Sequence, residues 1–158
     1  KSKMRVIQYC ISILLIISIA GNFACKKKDD GPTLTEQQQQ AQKVAGTWHV
    51  TSVDTKPSAV TDVTVIDGLV LTFNIDSDNI PSTFVTSGAP DYFTALGTAS
   101  WSFSGSSIVT ISLTNVGPVT SINIDSEVTN TMQISFTRIT VLRTENLDGD
   151  YVLTMTKQ

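Results

Sequence analysis

Apolar and polar residues alternate with a period of two from Gly46 to the end of the chain. The clearest case is LVLTFNI at 69–75, in which every second side chain is Leu, Phe or Ile. Such alternation is typical of antiparallel strands with one buried face and one wet face, and over this length it leaves no room for an α/β fold. We therefore predict an all-β fold, either an antiparallel meander barrel or a barrel-like sandwich, of about seven or eight strands. Other alternating segments begin at Trp48, Trp101, Ile122, Ile134 and Tyr151.

Hydroxyl side chains dominate the polar positions. The 158 residues include 22 Thr and 17 Ser, and 16% are charged, whereas about 25% are charged in a typical soluble protein. Thr is a good strand former, so these residues suit the wet faces of the predicted strands. The formal net charge of −3 argues against a nucleic-acid partner, because such proteins usually carry a basic stripe.

The first 24 residues have the features of a secretory signal peptide. A basic start, KSKMR, precedes an apolar run at 6–20 and a small residue, Ala24. The run is shorter than the roughly 20 residues that a bilayer span needs. The alternative is an uncleaved membrane anchor that covers residues 6–24.

Cys25 follows this segment directly, and its surroundings resemble a bacterial lipoprotein signal, in which cleavage precedes a cysteine that then carries the lipid. Ala24 fits that pattern, while Asn22 stands where an aliphatic residue is usual. The next residues, KKKDDGP at 26–32, are similar to the start of Bacteroidota lipoproteins that reach the cell surface. The resemblance implies an outer-membrane protein, displayed at the cell surface and attached through lipid on Cys25. Two or more acyl chains give stable anchoring.

This processing would leave no free thiol. Cys10 lies inside the signal and Cys25 is used by the lipid, and the sequence has no other cysteine. The mature body therefore has no disulfide, no thiolate nucleophile and no thiolate metal ligand.

Residues 25–45 are predicted to be a flexible tether that ends in a short helix. The helical segment is TLTEQQQQAQKVA at 33–45, in which Thr35 can cap the first turn with Gln38 and Glu36 suits the positive end of the helix dipole. The Gln run has little to bury. We expect a short helix or spacer that leads into a domain at 46–158, and we assign it no partner.

The domain opens with GTWHVTSV at 46–53, which resembles the opening of the small lipocalin-like domains of Bacteroidota lipoproteins. The Gly-x-Trp of Gly46 and Trp48 is also the first signature of lipocalins. The similarity continues to the terminal GDY strand and covers the whole body. It implies a small β-barrel with Trp48 at its closed end.

The resemblance also implies an arginine from a late strand that packs over Trp48. A guanidinium on an indole face contributes about 1 kcal/mol. The body contains two arginines, Arg138 and Arg143, and Arg143 is the better candidate because it comes just before the last strand.

The body is poor in catalytic groups. Its one histidine, His49, should point away from the Trp48 face, and no Gly-x-Ser-x-Gly elbow occurs. One histidine does not make a zinc site. Most carboxylates fall at strand ends or turns, where Asp is favoured for local hydrogen bonds, and the acidic segment that begins at Asn74 lacks the Gly and Glu of an EF-hand. We predict no enzymatic activity, no cofactor and no metal.

Binding is the more plausible role. Segment 81–97 is predicted to be the longest irregular stretch, and it carries Phe84, Tyr92 and Phe93. At a barrel mouth these rings would line an apolar pocket or stack on a sugar. Alternatively, the loop folds back and its rings close a filled barrel. The corresponding functions are non-enzymatic binding of a small apolar or carbohydrate ligand, or an accessory protein-interaction module of an outer-membrane complex.

Overall fold

A computed structural model describes residues 33–140 and 147–158. Eight antiparallel strands form a closed barrel in which each strand pairs with its neighbours in sequence and the last pairs with the first. The prediction of an all-β meander barrel is confirmed, and closure decides for the barrel against the sandwich. The strands are β1 (Gly46–Thr55), β2 (Val70–Ile75), β3 (Pro81–Ser87), β4 (Phe93–Phe103), β5 (Thr110–Pro118), β6 (Ser121–Ile124), β7 (Thr131–Arg138) and β8 (Gly149–Lys157). The helices are α1 (Glu36–Val44) and α2 (Thr64–Asp67).

Strand alternation turns the apolar side chains into the barrel as predicted. In β2, Leu71 and Phe73 are fully buried, and in β8 Tyr151, Leu153 and Met155 are fully buried. The hydroxyl side chains between them lie on the outer face, where some donate hydrogen bonds to carboxylates. The Asp54 carboxylate accepts hydrogen bonds from the side chains of Ser52, Thr154 and Gln133, and these bonds lower the pKa of Asp54.

The alternation predicted for β1 fails in its second half. Two register shifts interrupt the pairing of β1 with β8, one between Val50 and Ser52 and the next between Val53 and Thr55. A bulge places an extra residue in one strand and changes the face to which later side chains point. Val53, which the simple alternation assigns to the wet face, therefore packs against the core.

The prediction of a long irregular stretch at 81–97 is wrong. Residues 81–87 form β3, and β4 begins at Phe93, so the connection is confined to 88–92. Gly88 has a φ of +86°, and a Cβ there would lie 1.8 Å from the carbonyl oxygen of Gly68. Glycine is needed at this position because two loops of the same barrel end meet there.

Helix α1 closes the other end of the barrel. As predicted, Thr35 caps it and the side chain of Gln38 accepts from the Thr35 backbone in a capping box. Ala41 and Val44 are fully buried, and the Trp48 indole Nε1 donates to the carbonyl of Val44 at 2.7 Å. The helix is therefore part of the packed barrel end and not a spacer.

The glutamine run has a role that the sequence did not indicate. Gln37 Nε2 donates to the carbonyl oxygens of Gly105 and Ser107, in the β4–β5 connection. Gln38 Nε2 donates to the carbonyl of Asp78 in the β2–β3 turn. These side chains tie α1 to two loops of the closed end.

We expect Val44→Ala to lower the free energy of unfolding by about 2 kcal/mol, because it leaves a cavity between α1 and the barrel end. Urea unfolding of the purified protein measures this change. Gln39→Ala is the control: its amide donates within the exposed first turn of the helix, to Leu34, so the loss should stay within about 0.5 kcal/mol. Equal losses in the two variants would contradict the packed role of α1.

Candidate functional site

The three aromatic side chains that were predicted to contact a ligand lie in the barrel core. Phe84, Tyr92 and Phe93 are 3%, 1% and 2% exposed. The Phe84 ring lies 5.1 Å from the ring of Phe73, and Phe73 in turn contacts Trp101 edge-on at 5.2 Å. Phe84 thus belongs to one aromatic cluster of the core.

Tyr92 and Phe93 belong to a second cluster, with Phe136 and Tyr151. Phe93 contacts Phe136 at 5.1 Å, and Tyr92 contacts Tyr151 at 5.2 Å between ring centroids. Phe136 stacks on Tyr151 at 5.2 Å with an angle of 14° between the rings. The structure therefore separates Phe84 from the other two, and each ring is already surrounded by protein.

A buried arginine, Arg138, packs against the second cluster at the barrel end opposite α1. Arg138 is 4% exposed; its Nε donates to the carbonyl of Asp91 at 2.8 Å, and its Nη1 meets the Asp148 carboxylate at 2.8 Å. Its guanidinium carbon lies 5.7 Å from the centroid of the Tyr92 ring. Burial raises the pKa of Tyr151, whose hydroxyl donates to Leu147 at 2.6 Å. The β3–β4 and β7–β8 connections are joined by these bonds at the end opposite α1.

A lysine lies over the Trp48 ring. Lys157 Nζ lies 5.3 Å from the indole centroid and donates to the carbonyl of Lys43 at 3.0 Å, and desolvation lowers its pKa. Arg143, the predicted partner, lies outside the described residues, as does Cys25. The pairing of Trp48 with Lys157 across β1 and β8 brings this lysine to the indole.

Gly46 gives Lys157 the space that it needs. The glycine has a φ of +130°, and a Cβ there would lie 2.5 Å from Cε of Lys157. The Gly-x-Trp pair is thus a packing unit of the closed barrel end. Trp48 is fully buried with its indole N–H bonded to Val44, and Gly46 has no side chain, so neither offers a free functional group.

The outer wall carries a groove of about 530 Å³. It lies where the short strand β6 diverges from β7, and we call it the wall groove. Five of its eleven lining residues are Ser, Thr or Asn, and Asp150 is the one charged residue among its described lining. The Asp150 carboxylate accepts from the hydroxyl of Thr137 at 2.6 Å. The wall groove is lined by Pro118, Thr120, Ser121, Asn123, Ser135, Phe136, Thr137, Ile139, Asp150, Tyr151 and Val152.

Sequence reasoning did not find the wall groove. Its residues come from four separate strands and their connections, and each one alone reads as an ordinary wet-face position. No family model matches the chain, and a search of curated proteins found no significant match. Within residues 33–140 and 147–158, no helix is long and apolar enough to cross a membrane. In the same ranges, no three His, Cys, Asp or Glu side chains are grouped as a metal site would need.

Replacement of Arg138 tests how the barrel end opposite α1 is stabilised. We expect Arg138→Ala to lower the free energy of unfolding by about 2–4 kcal/mol, because it removes the buried guanidinium that donates to the Asp91 carbonyl and pairs with the Asp148 carboxylate. Arg138→Lys keeps the charge but not the planar fork, so its loss should be intermediate. Urea unfolding of both variants beside the native protein gives the comparison, and an Arg138→Ala protein of native stability would contradict this role.

Proposed function

We propose that this chain is a non-enzymatic, lipid-anchored protein of the bacterial outer membrane, displayed at the cell surface, with a lipocalin-like barrel that acts as a protein-interaction module. The observation that carries the proposal is the filled interior. The rings of Phe84, Tyr92 and Phe93 occupy the space that an enclosed ligand would need. Binding is then left to the outer wall and the loops.

Filling of the interior favours this function over binding of a small apolar molecule or a sugar within the barrel. The rings of the second aromatic cluster pack against one another, and Arg138 lies over Tyr92. Entry of a ligand there would require several buried rings to move and the bonds of Arg138 to break. Eight-stranded barrels have interiors just wide enough for side chains to fill or for one small ligand, and this one has the first kind of core.

The anchor is argued from the sequence, and the fold adds a direction to it. Nine residues, 26–34, separate Cys25 from Thr35, the N-cap of α1, which makes ten steps from Cα to Cα. A fully extended tether of this length spans at most about 35 Å. Anchoring at Cys25 would therefore keep the barrel end that carries α1 near the bilayer. The opposite end, where Arg138 and the β5–β6 connection lie, would face other molecules.

The charge of the body restricts the partner. From Gly31 onward the chain has 12 acidic and 5 basic residues, a net charge of −7. A surface of this sign disfavours anionic partners such as nucleic acid and favours neutral or basic ones. The abundance of outward hydroxyls supplies hydrogen-bond donors and acceptors without further charge.

Lipid anchoring is tested by Cys25→Ser. We expect the variant to leave the membrane fraction, because it has no thiol to carry the acyl chains. Cell fractionation with immunoblotting, and the mass of the mature protein, measure this. Cys10→Ser is the matched control: that cysteine lies in the segment predicted to be removed, so the variant should stay in the membrane with an unchanged mature mass. A Cys25→Ser protein that fractionates as the native one does would favour the uncleaved anchor over residues 6–24.

A further inference from the structure

The pairing of β6 with β7 stops before β7 ends. The two strands are in register at Asn123 with Ser135 and at Ile124 with Ile134. The same register would place Ser121 opposite Thr137, and no pairing is present there although β7 continues to Arg138. β6 instead follows β5, with which Ser121 pairs through Ser112. The wall groove is the gap that this divergence opens.

Backbone groups point into the gap. In an antiparallel ladder, alternate residues direct their N–H and C=O groups to the same neighbour. The carbonyl of Gln133 accepts from the Asp125 backbone, on the β6 side, so Thr137, four residues later in β7, also directs its backbone groups to that side. Within the described part of the chain, β6 gives Thr137 no ladder partner. An unpaired strand edge of this kind is a template for another strand.

We propose that the wall groove binds an extended, basic segment of a partner protein, which adds to β7 as a short strand beside Thr137, at the edge that faces β6. The proposal rests on the proposed function and names the part of the barrel wall that binds the partner. Backbone hydrogen bonds at Thr137 would supply the docking, as in other cases of strand addition. Ile139, which is 71% exposed, offers an apolar contact for one side chain of the segment.

The charge in the wall groove selects a basic segment. Asp150 is exposed at one side of the wall groove and accepts one hydrogen bond, from Thr137. A carboxylate has capacity for more than one donor, so Asp150 can also accept from a Lys or Arg of the segment. The net charge of −7 over the body also favours a basic partner.

A peptide fits the wall groove better than a glycan does. Sugars bind proteins with an aromatic face beneath the ring as well as with hydrogen bonds. The two aromatic residues at the wall groove, Phe136 and Tyr151, are 4% and 0% exposed and stack on each other. They present no open face, whereas the strand edge presents backbone groups.

The test is an NMR titration of the ¹⁵N-labelled lipidated protein in detergent micelles. The probe is a pool of acetylated, amidated heptapeptides that alternate Lys or Thr with Val or Ile. We expect saturable shifts of the Ser121, Thr137 and Asp150 amides. A second pool with an N-methyl group on every residue should cause none, since no N–H group along its backbone can donate to the carbonyl oxygen of Thr137. Maltoheptaose is the glycan probe and should also cause none.

Paired variants test the charge. Asp150→Asn should weaken binding of the peptide pool about fivefold, which corresponds to one exposed ion pair. Asp54→Asn is the control, because Asp54 also accepts from a Thr hydroxyl on the outer wall but lies outside the wall groove; it should change binding less than twofold. The proposal is overturned if neither the native protein nor Asp54→Asn responds to millimolar peptide, if both pools bind equally, or if maltoheptaose shifts the groove amides instead.

Photo-crosslinking in intact membranes separates this proposal from the proposed function. Benzoylphenylalanine replaces Thr137 in one protein and Thr83, which is exposed on β3 on the opposite side of the barrel, in another. We expect adducts from position 137 whose crosslinked peptide is basic and extended. Adducts from position 83 alone would overturn the groove proposal and keep an interaction module. Adducts from neither would overturn both.

Discussion

Aromatic packing inside a closed eight-stranded barrel is the constraint on which the rest of this structure depends. Closure pairs every strand on both sides, and it also fixes how much volume the inward side chains must fill. Here the filling is done by two ring clusters, one around Phe73 and Trp101 and one around Phe136 and Tyr151. Edge-on and stacked contacts at 5–6 Å leave these rings little freedom. The apolar side chains of the described strands therefore occupy the barrel interior themselves.

The two barrel ends are closed by different means. At one end, α1 lies over Trp48, whose indole donates to Val44 while Lys157 covers its face. At the other end, Arg138 joins two connections and covers Tyr92. In both cases a cation lies over an aromatic ring and bonds to a backbone carbonyl. Each cation–π contact contributes modestly to stability. The accompanying hydrogen bonds satisfy backbone carbonyls near the strand ends.

The alternation of apolar residues predicted the fold class and the inward faces of β2, β7 and β8, and the capping residues Thr35 and Gln38 predicted the start of α1. It failed where pairing with a distant strand determines the outcome. β3 and the first half of β4 contain Gly, Ser, Thr and Pro in a pattern that is typical of loops, yet their neighbours hold them as strands. A shift in the pairing with β5 between Ala95 and Ser100 accommodates the irregular part. Local sequence does not contain that information.

The candidate site was harder to predict for the same reason. The sequence predicts that Phe84, Tyr92 and Phe93 contact a ligand, but the side of the barrel wall that each ring faces depends on strands outside segment 81–97. Lys157 lies over Trp48 because the two residues are paired in the register of β1 and β8. The wall groove depends on where the β6–β7 ladder stops, which is a property of two strands together.

The most direct test of a filled barrel is a titration of the purified protein with a fluorescent fatty acid, read by fluorescence and by the amide signals of Tyr92 and Tyr151. A core that is already occupied by its own rings predicts no saturable binding and no change at these residues. Saturable binding with one molecule per chain, accompanied by shifts at Tyr92 and Tyr151, would contradict the filled interior and restore the barrel as a ligand site.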